Sequence, residues 1–316
     1  MGGFAASCDP SSVHVREASW LARVRRLRNI ASSGPPILQW DVPMRSSGVQ
    51  VRAYQGSHAP DRPTQDEVLV LEYPNRIILA VADGVTPTDV TPGAQGLDGA
   101  RYAARRVLSH LCAAPPSRDP AFVFHAVNRS LFEEFDHHIR DGFHGRDRPQ
   151  AAAVALSLEV ADDGMITRTN SALAADCDIA VRYGKEWSRV RTERMLHEGV
   201  EAQLARWDIE NPAATYQDRI AEEKLILRDR SQWRRTALGR FDRAALGEPP
   251  VPPDFDEVLL ATDGADLSSS RHVLPADPRT LMEELRTREA AERPPGRRHS
   301  DVALVHLRFD QSASMR

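Results

Sequence analysis

The chain has 316 residues, of which 41% are hydrophobic and 27% charged, with 45 acidic against 41 basic side chains and a formal net charge of −4. A chain of this kind is globular and buries a sizeable core, and its acidic balance excludes bulk nucleic-acid binding, which needs a basic face. Cys8, Cys112 and Cys177 are too few and too scattered for a disulfide framework or a zinc site, and no basic-then-apolar leader or run of about 18 apolar residues is present, so the expectation is a cytoplasmic protein without a membrane span.

Residues 1–45 read as an N-terminal arm. Within it, Trp20, Leu21, Val24 and Leu27 fall at helical spacing and predict one helix over Glu17–Ile30, basic on its other side. Ser32, Ser33, Gly34, Pro35 and Pro36 then interrupt the chain. From residue 46 to 310 the pattern is that of one main domain. Val51–Tyr54, Glu67–Glu72 and Arg76–Ala82 read as strands, the last apolar enough to be buried on both faces, with a turn at Pro74 and Asn75. Residues 98–113 and 120–140 read as helices. Strands follow at 151–160, 166–175, 178–183 and 186–190, the last two joined through Gly184 and Lys185. Residues 194–250 read as a helical insert or flap, broken at Asn211 and Pro212 and ending in a proline-rich stretch. Glu257–Thr262 is another buried strand, Pro278–Ala291 a helix opened by proline, and Val302–Phe309 the last strand, with residues 311–316 as a tail. Strands joined by hairpins, with helices gathered in blocks, define an α+β layered fold.

Four apolar strands carry aspartate at their ends. Asp66 precedes EVLVLE, Asp83 follows RIILAVA and is itself followed by Gly84, Asp263 follows EVLLAT and is followed by Gly264, and Asp301 precedes VALVHL. Carboxylates held by rigid strands suit hard, oxygen-seeking cations, and without cations their charges would repel. Glycine after the aspartate is expected to let the backbone turn tightly, so that the Gly84 carbonyl also faces the metal.

These motifs, in this order, resemble the PP2C family of metal-dependent Ser/Thr phosphatases, in its bacterial form, over about residues 48–309. Arg62–Asp66 (RPTQD) is similar to the family's opening motif, Val81–Thr86 (VADGVT) to its Ala-Asp-Gly motif, and Ala175-Asp176-Cys177 before IAVRYGKEW to its Gly-Asp-Ser motif. Thr236–Gly239 and VLLATDGA follow in register. The resemblance implies a four-layer α/β-sandwich, a central antiparallel β-sandwich flanked by helix pairs. It implies two core Mn²⁺ or Mg²⁺ ions held by Asp66, Asp83, the Gly84 carbonyl, Asp263 and Asp301, with Asp176 at a third. Asp83 and Asp263 are then central to catalysis, and Arg62 orients the substrate phosphate, with Arg52 as a competing candidate. Alignment on the final strand puts Ser300 at the family's last ligand position and Asp301 one residue later. Register favours Ser300 and chemistry favours Asp301, because a carboxylate is the better ligand for a dication.

Cys177 is expected to pack rather than react. The implied activity is hydrolysis of phosphoserine and phosphothreonine in proteins by a metal-activated water. Expected partners are a phosphoprotein substrate and a cognate Ser/Thr kinase, for a monomer that binds neither nucleic acid nor membrane. Two other readings stand beside it: a PP2C-like pseudophosphatase that binds without turnover, and a hydrolase of small phosphate esters.

Overall fold

The segments Glu67–Tyr73 and Arg76–Val85 are buried at nearly every position, as strands are when both faces of their sheet are covered. The computed structural model describes residues 14–17, 25–31, 34–46, 48–59, 64–85, 99–140, 149–162, 164–190, 197–215, 218–219, 222, 237–239, 246–265, 267, 277–292 and 300–309. In chain order the first elements are β1 (His14–Glu17), β2 (Arg25–Asn29), β3 (Ile37–Val42), β4 (Val49–Gly56), β5 (Glu67–Tyr73) and β6 (Arg76–Val85). Helices α1 (Gly99–Ala113) and α2 (Pro120–Arg140) follow, then β7 (Gln150–Val160), β8 (Ile166–Ala174), β9 (Asp178–Tyr183) and β10 (Glu186–Val190). The chain continues with α3 (His197–Glu210), β11 (Glu257–Ala261), a 3-10 turn at Asp263–Ala265, α4 (Pro278–Glu292) and β12 (Val302–Phe309).

The strands form two sheets, one in the order β1-β5-β6-β7-β8 and the other in the order β10-β9-β11-β12-β4-β3-β2. The pairings are antiparallel except that of β1 with β5, which is parallel. Period-two alternation sorts their side chains into three cores. Val68, Val81, Val154, Leu260 and Val305 fill the space between the sheets. Ala80, Ala82, Ala153 and Ala155 face outward from the first sheet against Ala103, Val107 and Phe124 of α1 and α2. Tyr54, Leu259 and Leu304 face outward from the second sheet against Met282 and Leu285 of α4. Each large side chain buried this way, such as Leu79 or Phe124, contributes about 1.5–3 kcal/mol relative to exposure. The architecture is the expected four-layer α/β-sandwich. Among the described residues, the outer core of the second sheet draws on one helix, α4, rather than a pair.

The expected helix at Glu17–Ile30 is not observed. Arg25–Asn29 is a strand paired with β3, and His14–Glu17 is a strand paired with β5; residues 18–24 lie outside the described residues. Arg25–Asn29 and Ile37–Val42 are therefore strands of the second sheet rather than parts of a separate arm. Sheet edges offer unpaired backbone groups, and pairing with them outweighs a helical spacing of four apolar residues. The strands, turns and helices expected between residues 67 and 190, and at Glu257, Pro278 and Val302, match those observed to within a few residues.

Candidate metal centre

The inward-facing positions of several strands are apolar along their length and become acidic at one end. In β6, Ile77, Leu79 and Val81 belong to the inter-sheet core, and the next residue of that parity is Asp83. In β5, Val70 and Val68 lead to Asp66 in the same way, and in β12, Val305 and Ala303 lead to Asp301. The β5–β6 register pairs Glu67 with Ala82, so the next position sets Asp66 opposite Asp83, two like charges as direct cross-strand neighbours.

Asp66 is buried. Its Oδ2 accepts a hydrogen bond of 2.6 Å from the Thr262 hydroxyl, and its backbone carbonyl accepts one of 2.6 Å from Gln55 Nε2. Its Oδ1 is buried without a hydrogen-bond partner. Burial pushes the Asp66 carboxyl well above its usual range, and the Asp301 and Asp263 charges push the same way, against hydrogen bonding with Asp83 and Thr262. Asp83 is raised as well, first by burial and then by the charges of Asp66, Asp263 and Asp176. Five of the expected acids, Asp66, Asp83, Asp176, Asp263 and Asp301, are thus close enough to act on one another.

Asp83 lies inside its strand and not at its end, since pairing with β7 continues through Gly84 and Val85. Neither Gly84 nor Gly264 has left-handed backbone. Each is required by close approach: a Cβ at Gly84 would stand 2.4 Å from the Ala100 carbonyl oxygen in the first turn of α1, and one at Gly264 only 1.8 Å from the carbonyl oxygen of Asp301. The alanine-lined contact between α1 and the first sheet permits this approach. Register also aims the Gly84 carbonyl. Its partner Ala151 gives both backbone groups to Leu238, so Gly84 turns its own away from β7, toward the side on which Asp66 continues β5.

Strand parity places Asp301, and not Ser300, on the inward face of β12. Val302 faces the α4 side and Ala303 the inter-sheet side, so the inward residue is Asp301. Its Oδ1 accepts from the His58 backbone amide at 2.6 Å and contacts His58 Nδ1 at 2.8 Å, and its Oδ2 accepts from the Gln65 amide at 2.8 Å. Ser300 turns its amide and carbonyl to Glu289 and Arg286 of α4.

Asp263 opens the 3-10 turn after β11 and is exposed. Asp176 sits in the β8–β9 turn beside Ala175, which has the left-handed φ of 60°. Cys177 is buried in the inter-sheet core, and burial, reinforced by Asp176 and Asp83, holds its thiol well above the usual range, so it packs and is no thiolate nucleophile. Arg62 lies outside the described residues. Arg52 is not at the acids: it projects from the outer face of the second sheet to Asp41 and Asp277.

Thr262, which the motifs do not single out, stands among the acids. Besides its bond to Asp66, its hydroxyl accepts from the Ala303 amide at 2.9 Å, so it ties Asp66 to β12. The signal was its place directly before the Asp-Gly pair on an inward parity.

Among the described residues no three His, Cys, Asp or Glu side chains already converge as a metal-holding group. The donor set nonetheless fits a hard dication. All its side chains are carboxylates, a buried oxygen of Asp66 lacks any donor, and the mutual repulsion of the acids is the conflict that a bound cation relieves.

Comparison with known proteins agrees with this geometry at the level of the fold. No family model matches the sequence, and a search of curated proteins finds no match. Among solved structures, the chain is similar to PppA, a key regulatory component of T6SS in Pseudomonas aeruginosa, with a TM-score of 0.50 and 15% identity over 84% of this chain and 99% of that one. Other similar structures are RsbX in complex with magnesium (TM-score 0.49, 10% identity, 85% and 99% covered) and the serine/threonine phosphatase Stp1 from Staphylococcus aureus (0.48, 12%, 83% and 94%). The likeness to PppA is one of fold, the α/β-sandwich described above. No described helix is long and apolar enough to cross a membrane.

Proposed function

We propose that this chain is a divalent-metal-dependent phosphatase that hydrolyses phosphoserine and phosphothreonine in proteins. The observation that carries the reading is the buried Asp66–Asp83 pair, set opposite one another by strand register and uncompensated by any described cation. Asp66, Asp83, the Gly84 carbonyl and Asp263 would hold two Mn²⁺ or Mg²⁺ ions, with Asp301 completing the set and Asp176 at the rim for a third. When bound, the ions supply an acidified water and neutralise charge on the phosphoryl oxygens. The chain's own residues do the positioning: Thr262 fixes the orientation of Asp66, and Asp301 holds the backbone amides of His58 and Gln65. The substrate is a phosphoprotein, with Arg62 the residue for its phosphate and a cognate Ser/Thr kinase as the opposing enzyme. The three separated cysteines suit the cytoplasm.

The test is hydrolysis of p-nitrophenyl phosphate and of phosphoserine and phosphothreonine peptides with Mn²⁺ and with chelator. Turnover that requires the cation and extends to the peptides supports the reading. Metal-independent turnover, or hydrolysis confined to the small ester, overturns it. One observation favours a non-catalytic binding module instead: both Asp301 oxygens already accept from loop amides. Tight phosphopeptide binding without turnover at any Mn²⁺ concentration is the result that selects that module.

A further inference from the structure

Arg286 of α4 has no solvent exposure at all, which is costly for a guanidinium unless each of its donors is used. Its Nε donates to the Pro35 carbonyl at 3.1 Å, its Nη2 to the Ser57 carbonyl at 2.8 Å, and its Nη1 to the Ser300 carbonyl at 2.9 Å and to Glu289 Oε2 at 2.8 Å. Glu289 Oε1 in turn accepts from the Ser300 amide at 2.8 Å. The pair therefore grips both backbone groups of Ser300 and the carbonyl of Ser57. These two residues immediately precede Asp301 and His58, and His58 donates to Asp301. The packing leaves no slack, since a Cβ at Gly56 would stand 2.8 Å from Arg286 Nη2.

We propose that Arg286 and Glu289 are positioning residues that hold the Asp301 carboxylate in the acidic centre from behind the sheet, and so set the affinity for a cation there. This rests on the metal-site reading given above, but the clamp itself is open to test without metal. A lysine at 286 keeps the charge opposite Glu289, yet has no planar fork to reach Ser57 and Ser300 together.

The experiment uses the full chain as wild type, Arg286→Lys, Asp301→Asn and the double variant. Amide hydrogen exchange is measured on metal-free protein, and Mn²⁺ binding by calorimetry. Arg286→Lys is expected to speed exchange at the His58 and Gln65 amides selectively, and to weaken Mn²⁺ binding about 10- to 100-fold, the range for residues that orient metal ligands. The double variant should bind no more weakly than Asp301→Asn alone, because both changes act through one carboxylate. Unchanged exchange at His58 and Gln65, or additive losses of affinity in the double variant, overturns the proposal. Should Arg286→Lys fail to fold, Glu289→Gln takes its place with the same expectations, since glutamine loses the charge that pairs with Arg286. Wild-type protein that binds no Mn²⁺ overturns the metal-site reading and the predicted effect on affinity, while the exchange arm still decides whether the clamp exists.

Discussion

Asp66 and Glu257 are both acids with about 1% exposure, yet their surroundings are opposite. Glu257 projects from the outer face of the second sheet, and register places Arg182 and Arg308 directly across from it on the two neighbouring strands. Arg182 pairs with its Oε1, Arg308 approaches the same oxygen at 3.4 Å, and His306 Nε2 lies 2.9 Å from Oε2. Glu257, His306 and Arg308, together with Gln50, Arg52 and Asp277, line a cavity of about 170 Å³. Asp66 instead projects into the inter-sheet space, where its cross-strand neighbour is another aspartate. A buried acid ringed by cations is complete within the chain. A buried acid ringed by acids is strained until something else brings positive charge.

The largest effect expected from this contrast is that of Asp83→Asn. It should reduce Mn²⁺-dependent hydrolysis of p-nitrophenyl phosphate by at least about a thousandfold, the rate equivalent of roughly 4 kcal/mol of lost charge stabilisation. The same variant should melt at higher temperature than wild type in chelator. Asp83 has its folded-state carboxyl raised above the unfolded value of 3.8, so above that pH the folded metal-free state keeps a proton that the unfolded chain has lost. Stability then falls as pH rises, by up to about 1.4 kcal/mol per pH unit for each such group, until the folded group ionises. The thermal gain of Asp83→Asn should therefore be plain at about pH 7.5 and fade toward about pH 3, where both states are protonated. Equal melting temperatures at both pH values would show that the acids are not in conflict.

Glu257→Gln should do the reverse. It leaves Arg182 without its buried counter-charge and should cost about 3–5 kcal/mol in urea unfolding. Mn²⁺ affinity should be unchanged, and a weakened metal site in this variant would break the separation between the two clusters. The smallest expected effect is that of Ala175→Gly beside Asp176. Left-handed backbone costs a non-glycine residue about 1–2 kcal/mol, against about 0.5–1 kcal/mol for the greater freedom of unfolded glycine, so a net gain of roughly 0.5–1 kcal/mol is expected. If the strain at Ala175 serves to hold Asp176 in place, that gain in urea unfolding comes with slower turnover.

Much of the sandwich was legible in the chain because its signals are local. Continuous apolar runs at Glu67–Glu72, Arg76–Ala82 and Ala151–Val160, punctuated by Pro74-Asn75 and Gly184-Lys185, mark doubly covered strands and their turns wherever they occur. The Asp-Gly pairs were legible too, though for a partly mistaken reason: the glycines admit the backbones of Ala100 and Asp301, and neither needs left-handed backbone. What local signals could not carry were relations between strands. Helical spacing at Trp20–Leu27 was read as a helix because nothing nearby in sequence reveals that β3 offers an edge to Arg25–Asn29. Ser300 and Asp301 are one residue apart, and only the faces on which Val302 and Ala303 pack show which of them points inward, since a shift of one position reverses every side chain. Arg286 is one of several charges on Pro278–Glu292, and nothing in the local sequence sets it apart. Its partners Pro35, Ser57 and Ser300 are carbonyls of three separate loops, and backbone carbonyls carry no residue identity by which a sequence can announce them.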